Sequence, residues 1–263
     1  MANLINNCLS IWSKVTYALD LNPKTFEIPN GYFLKHYDNF ANLDFSFWHI
    51  GHEWGDHPVD NPIYYWNDKD NNDEDVVRCI NNELRLDAIR KPKMFGKTEI
   101  PFKVGLIESN VGFLHGIFKC RAMIPKGGNL WPAFWMWGME KWPPEVDIME
   151  GYTSQSKLQP NVHYRMNGEH RMLGPTDAMV RNWDTEFHEY TLWWESDFIK
   201  IYYDGRLVFS VTDKDFLNRH YNNASDAMRI VFNNSISPDI DRNTETPCVR
   251  PFIIKEFEIF QKI

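Results

Sequence analysis

Short runs of β-branched and aromatic residues, broken by turn dipeptides, set the first limit on how this chain folds. Asp204-Gly205, Asn167-Gly168 and the run Lys126-Gly127-Gly128 punctuate apolar segments along its 263 residues, and residues of this kind sit where a hairpin reverses. No amphipathic helical period persists; residues 213–221 read as one short helix, and the stretch near Ala227 is the other candidate. The pattern predicts an all-β chain. No internal repeat, low-complexity tract or Pro/Gly-rich linker divides it, so one domain over residues 1–263 is expected. Residues 26–33 and 45–50 are expected strands that complete it.

The chemistry concentrates in Trp142-Pro143-Pro144-Glu145-Val146-Asp147-Ile148-Met149-Glu150, which places three carboxylates within six residues of an apolar, strand-like segment. Alternate strand residues share a face, so Glu145 and Asp147 point the same way. Glu150, five positions after Glu145, falls on the other face unless an extra residue is taken up by a β-bulge at Ile148-Met149. With the bulge, two glutamates flank a central aspartate on one face. That arrangement suits retaining glycoside hydrolysis, in which one carboxylate is the nucleophile and the other the acid/base. A solvated acidic strand is the plainer alternative, but three like charges on one face repel and the flanks are aromatic.

The motif resembles that of glycoside hydrolase family 16, whose pattern is Glu, an apolar residue, Asp, one or two apolar residues, then Glu. Two apolar residues here match the bulged branch, which includes laminarinases, agarases and carrageenases. The resemblance extends to His115-Gly116-Ile117-Phe118-Lys119-Cys120-Arg121-Ala122, to Asn129-Leu130-Trp131-Pro132-Ala133-Phe134-Trp135-Met136, and downstream to Phe187-His188-Glu189-Tyr190 and Tyr203-Asp204-Gly205. It implies a concanavalin-like jelly roll, a β-sandwich of two antiparallel sheets whose concave sheet forms the substrate cleft. It also implies Glu145 as nucleophile, Glu150 as acid/base and Asp147 as the group that tunes both. No redox or metal cofactor is implied for catalysis; a structural calcium on the outer face, as in relatives, is an expectation without assigned ligands. Two departures bear on substrate. Leu106 stands where laminarinases often carry a sugar-contacting arginine, and Pro143-Pro144 replaces a common Ala-Ser-Gly.

Aromatic residues make up 15% of the chain, with 11 Trp, 11 Tyr and 18 Phe. Indole faces stack on the CH faces of sugars, so Trp131, Trp135 and Trp142 are expected to line the cleft; Trp137, Trp193 and Trp194 lack the family match, and at most one of the last two can face it. Core packing is the competing use for any one of them. His163, in Asn161-Val162-His163-Tyr164, is expected on the neighbouring strand, where the resemblance implies a histidine near the acid/base; Arg165 and Arg171 flank the following turn and are expected to reach the leaving-group side. Cys8, Cys79, Cys120 and Cys248 form no C-x-x-C pair, and Cys120 reads as a buried free thiol.

The net charge of −8, from 28 basic and 36 acidic residues, disfavours a nucleic-acid partner. No apolar run approaches the roughly 18 to 20 residues that span a bilayer. Residues 1–10 lack a secretory signal, so action outside the cell would require a removed signal, lysis or carriage in a virion. The expectation is a monomeric, endo-acting, retaining hydrolase of β-1,3-glucan (laminarin) or mixed-linkage β-glucan. The alternatives are a β-galactanase acting on agar, porphyran, carrageenan or mucin-type galactan, with Arg165 and Arg171 pairing sulfates; a transglycosylase; and a non-catalytic carbohydrate-binding jelly roll.

Overall fold

The computed structural model describes residues 25–52, 63–65, 76–175, 178, 180 and 182–262. Two large antiparallel sheets stack on one core. The first runs, edge to edge, Glu169–Leu173, Lys157–Met166, Glu145–Tyr152, Leu130–Gly138, Met228–Ile236, Leu106–Ser109 and Trp48–Ile50. The second runs Arg206–Val211, Phe198–Tyr203, His188–Glu195, Gly116–Met123, Phe252–Lys262, Leu84–Leu86 and Val77–Cys79, with Tyr32–Asp38 also paired to Phe252–Lys262. Both expected hairpins form: Asn167 and Asp204 take positive φ of 55° and 48° just before their glycines, the left-handed backbone such turns require.

Alternation in the strands decides what the sheets bury. From the first sheet Phe134, Met136, Val146, Val162, Ile230 and Phe232 turn inward, and from the second Phe118, Cys120, Leu192, Ile201, Ile254 and Phe257 meet them; all are buried. Phe134 stacks on Phe232 within the first sheet at 4.7 Å, and Phe232 meets Phe257 of the second sheet edge-on at 5.5 Å, which ties the layers together. Each such side chain contributes about 1.5–3 kcal/mol by leaving water. Cys120 is a buried free thiol as expected; Cys8 lies outside the described residues.

A smaller sheet of Ile63–Tyr65, Thr98–Val104 and Ala88–Phe95 lies on the other side of the first sheet. Its Ile63, Tyr65, Phe102 and Val104 form a second apolar cluster with Leu106 and Val231, against which Trp135 and Trp137 are partly packed. The face of the first sheet turned away from the main core is therefore walled at this end and open around the Glu145–Tyr152 strand.

The expected helix forms as Lys214–His220, with Asp213 as N-cap accepting from the Phe216 N–H at 3.0 Å and Arg219 and His220 in the last turn, where cations suit the dipole. Near Ala227 only a short 3₁₀ turn, Ala224–Asp226, is present. Two expected strands shift. Residues 26–31 are irregular and the strand begins at Tyr32, and residues 45–47 form a turn before Trp48. The Asp44 side chain accepts from the N–H of Ser46 at 2.9 Å, a local bond that favours a turn over a ladder. Among the described residues no helix is long and apolar enough to cross a membrane.

Candidate active site

The bulge expected from the spacing is present. Asp147 lies opposite Asn161 and Glu150 opposite Gln159, so three steps on one strand match two on the other. On the other side Trp135 faces Asp147 and Phe134 faces Met149. Ile148 and Met149 are both fully buried, so two consecutive apolar side chains go inward and Glu150 returns to the face of Glu145 and Asp147. A bulge interrupts the ladder locally; here the Tyr203 hydroxyl, from the second sheet, donates to the Ile148 carbonyl at 3.0 Å. The Tyr221 hydroxyl likewise lies 2.6 Å from the His163 carbonyl and 3.2 Å from that of Glu145. Core tyrosines thus hold the carboxylate strand from beneath.

Cross-strand rows assemble the site. Trp137, Glu145 and His163 form one row, Trp135, Asp147 and Asn161 the next, and Ala133, Glu150 and Gln159 the third. Directly opposed residues share a face. The indole N–H groups are spent on this polar floor. Trp142 Nε1 donates to Glu145 at 2.7 Å, Trp131 Nε1 to Glu150 at 2.9 Å, and Trp135 Nε1 to Asn233 at 2.7 Å. The three tryptophans singled out in the sequence are partly exposed and spend their indole N–H groups on orienting polar side chains. Glu150 is further held by Asn161 Nδ2 at 2.6 Å and the Tyr152 hydroxyl at 3.3 Å. His163 Nε2 lies 2.9 Å from Asp147 and 3.5 Å from Glu145.

All three carboxyls are held above their ordinary range. Burial, then the neighbouring Asp147, pushes Glu145 up to about 8. Burial, then Glu150, pushes Asp147 well up. In Glu150 burial outweighs the donors Trp131 and Asn161, which favour the ionised form, and the carboxyl again moves up. Such a cluster holds protons near neutrality and titrates as a unit. It can therefore present an acid and a carboxylate side by side. Glu145, Asp147 and His163 also bring ligand-type atoms within 4.8 Å of one another; this group lies in the cleft, not on the outer face where the calcium is expected, and a cation there would compete with the protons the carboxyls retain.

The other expected residues are placed less centrally. Arg165 lies over the Trp142 ring at 5.8 Å and donates to the carbonyls of Gly168 and Trp142, bracing that tryptophan from the rim. Arg171 stands opposite Tyr164, whose ring meets Phe216, so it leaves the cleft face and pairs with Glu169. The Arg165–Arg171 sulfate site does not assemble. Trp193 and Trp194 belong to the second sheet, where Trp194 is fully buried and Trp193 donates to the Tyr32 hydroxyl; neither faces the cleft.

Trp137 does. Its two-residue spacing from Trp135 is the signal that puts it there. The sequence reading also missed Asn161, Tyr152 and Glu108. Asn161 was legible by its even spacing from His163. Leu106, in place of a sugar-contacting arginine, is fully buried in the second apolar cluster, and the arginine on this part of the sheet is Arg229, bound to Glu108 at 2.8 Å.

The family model for glycosyl hydrolases family 16 matches residues 64–247. An endo-1,3-1,4-beta-glycanase, EglC, of Rhizobium meliloti (strain 1021) is 32% identical over 97 residues, covering 36% of this chain and 20% of that protein. A glucan endo-1,3-beta-glucosidase of Cryptopygus antarcticus is 29% identical over 133 residues, 46% of this chain and 48% of that protein. The chain thus aligns with about a fifth of the one and about half of the other. The crystal structure of LamAcat from Zobellia galactanivorans superposes with a TM-score of 0.71 at 21% identity, covering 87% of this chain and 97% of that one, a likeness of fold.

Proposed function

This chain belongs to glycosyl hydrolases family 16, and from that premise we propose that its cleft hydrolyses β-1,3- or mixed-linkage β-glucan by internal attack with retention. The observation that carries the reading is the bulge at Ile148-Met149, which returns Glu150 to the face of Glu145. In the first step the ionised Glu145 attacks the anomeric carbon, forming a glycosyl ester, while Glu150 gives its proton to the departing glycosidic oxygen. In the second, Glu150 takes a proton from water and the resulting oxygen nucleophile opens the ester, restoring both carboxyls. Retained protons in the cluster supply the acid; a protonated Asp147 would remove the charge that most opposes ionisation of Glu145 after burial. The indoles of Trp131 and Trp142 keep the two glutamates in place, and pre-set geometry of this kind lowers a barrier without new bonds. The relatives named as glucan endo-1,3-beta-glucosidase and endo-1,3-1,4-beta-glycanase support glucan as the polymer. No metal has a role in this scheme.

The test is oligosaccharide release from laminarin and lichenan by the wild type, Glu145→Gln and Glu150→Gln. Glu150→Gln should lose about a thousandfold in turnover, within the range that acid–base groups contribute, and Glu145→Gln, which removes the nucleophile, should lose more. Glu150→Gln should recover on an aryl β-glucoside whose leaving group needs little protonation; Glu145→Gln should not. A folded Glu145→Gln that retains turnover would remove the nucleophile assignment, glucan binding without release would point to a carbohydrate-binding role, and transfer to an added sugar acceptor would point to a transglycosylase.

A further inference from the structure

His170, an exposed residue on the edge strand Glu169–Leu173, lies two residues from the one facing His163. Its Nε2 is nonetheless 2.8 Å from His163 Nδ1. The ring planes differ by 4° with centroids 5.0 Å apart, which fits two imidazoles edge to edge in one plane, an N–H of one aimed at a lone pair of the other. His163 thus has Nδ1 engaged by His170, while Nε2 lies 2.9 Å from Asp147 Oδ2. Trp142, which holds Glu145, lies 4.8 Å from the His170 ring. Asp147 Oδ2 is buried and has no hydrogen-bond partner among the described residues, although His163 Nε2 is 2.9 Å away.

We propose that His170 is a positioning residue: by accepting the Nδ1 proton of His163 it keeps Nε2, 2.9 Å from Asp147 Oδ2, free of a proton, so that Asp147 is the member of this close pair that stays protonated. A partner on one ring nitrogen sets the tautomer at the other. The inference rests on the hydrolase reading and deepens it. With the proton kept on Asp147, Glu145 has no charged neighbour on that side and ionises more readily as nucleophile. Burial, then the nearby His163 and Arg165, holds His170 below its ordinary range, which keeps it neutral and able to accept. The charged and titratable groups facing the pair are Glu145 and Asp147 from the carboxylate strand, Arg165 from the strand of His163 and Tyr221 beneath it; Glu169 and Arg171 bind each other at the edge. Without His170 the His163 proton can move to Nε2 and favour an ionised Asp147, whose charge opposes that of Glu145.

The experiment compares wild type, His170→Ala and His170→Gln in kcat and KM for laminarin against pH, with NMR of the His163 ring nitrogens in the free proteins. His170→Ala should lose about tenfold in kcat, short of the hundredfold cost of a 1 Å misplacement, with KM little changed and the acid limb of the kcat profile moved to higher pH. The His163 proton should leave Nδ1. His170→Gln, whose carbonyl can accept the same proton, should restore most of the rate and the tautomer. A His170→Ala profile that overlays the wild type, with the His163 proton still on Nδ1, would overturn the proposal. If the wild type releases nothing from β-glucan the hydrolase reading fails, and the ring-nitrogen comparison alone decides the role of His170.

Discussion

Two buried carboxylate sites share one face of the first sheet and behave in opposite ways. Glu108 is fully buried, yet its carboxyl is held below the ordinary range: burial pushes it up, but hydrogen bonds from His52 and Arg229 and the charges of His52 and His49 outweigh that. Its Oε2 lies 2.8 Å from His52 Nδ1 and its Oε1 2.8 Å from Arg229, with the Trp137 indole N–H at 3.3 Å. Asp147 and Glu150 are also buried and Glu145 largely so, but their nearest charged neighbours include one another, and all three move up. Burial is common to both sites, so the partners set the protonation. Glu108 is an anchor that stays charged, and the motif cluster is a store of protons.

The sharpest way to break this contrast is to discharge the anchor. Glu108→Gln leaves Arg229 without its buried counter-charge, and removing one partner of such a pair costs about 3–5 kcal/mol. Urea unfolding at pH 7 should show a loss of that size. A depressed carboxyl contributes stability that is present above its ordinary value and lost as pH falls through the lowered one, so the gap between variant and wild type should close only in acid. A loss below about 1 kcal/mol would put Glu108 in the same class as the motif carboxylates.

Deleting Met149 tests whether the motif cluster depends on its spacing. The strand would regain regular alternation, but Glu150 would move one step of about 3.3 Å toward Asp147, and the bulged carbonyl that receives Tyr203 would be lost. Turnover on laminarin should fall at least about a hundredfold with the fold retained by circular dichroism; unchanged turnover would show that the bulge is dispensable.

The smallest effect carries the sign of the comparison. Folding holds the Glu145 carboxyl up from 4.5 to about 8, so its contribution to stability is fully present below pH 4.5 and lost as pH rises through about 8. Glu145→Gln, which cannot ionise, should therefore match the wild type near pH 4 and exceed it at pH 9. The gain should read as a higher Tm for the variant at pH 9 and no difference near pH 4. A variant less stable at pH 9 would mean that Glu145 is stabilised as an anion, as Glu108 is.

The carboxylate motif was readable along the chain because strand alternation is a local rule: two apolar residues between Asp147 and Glu150 demand a bulge if the three acids are to share a face. The short helix was readable from Asp213 and its apolar positions. The start of the strand at Tyr32 was not, since pairing with residues 257–262 at the far end of the chain decides it. Nor was the loss of Arg171 from the cleft, which follows from its register opposite Tyr164.

By itself the sequence determined the all-β architecture, the bulged triad and the tryptophans around it, because period-two alternation and turn chemistry act between near neighbours. Only the tertiary structure decided which indole holds which carboxylate, that Glu108 is matched by His52 and Arg229, and that His170 reaches His163. Those partners come from different strands, and a proton's affinity for a buried carboxyl depends on charges and donors within a few ångströms in space, wherever they lie along the chain.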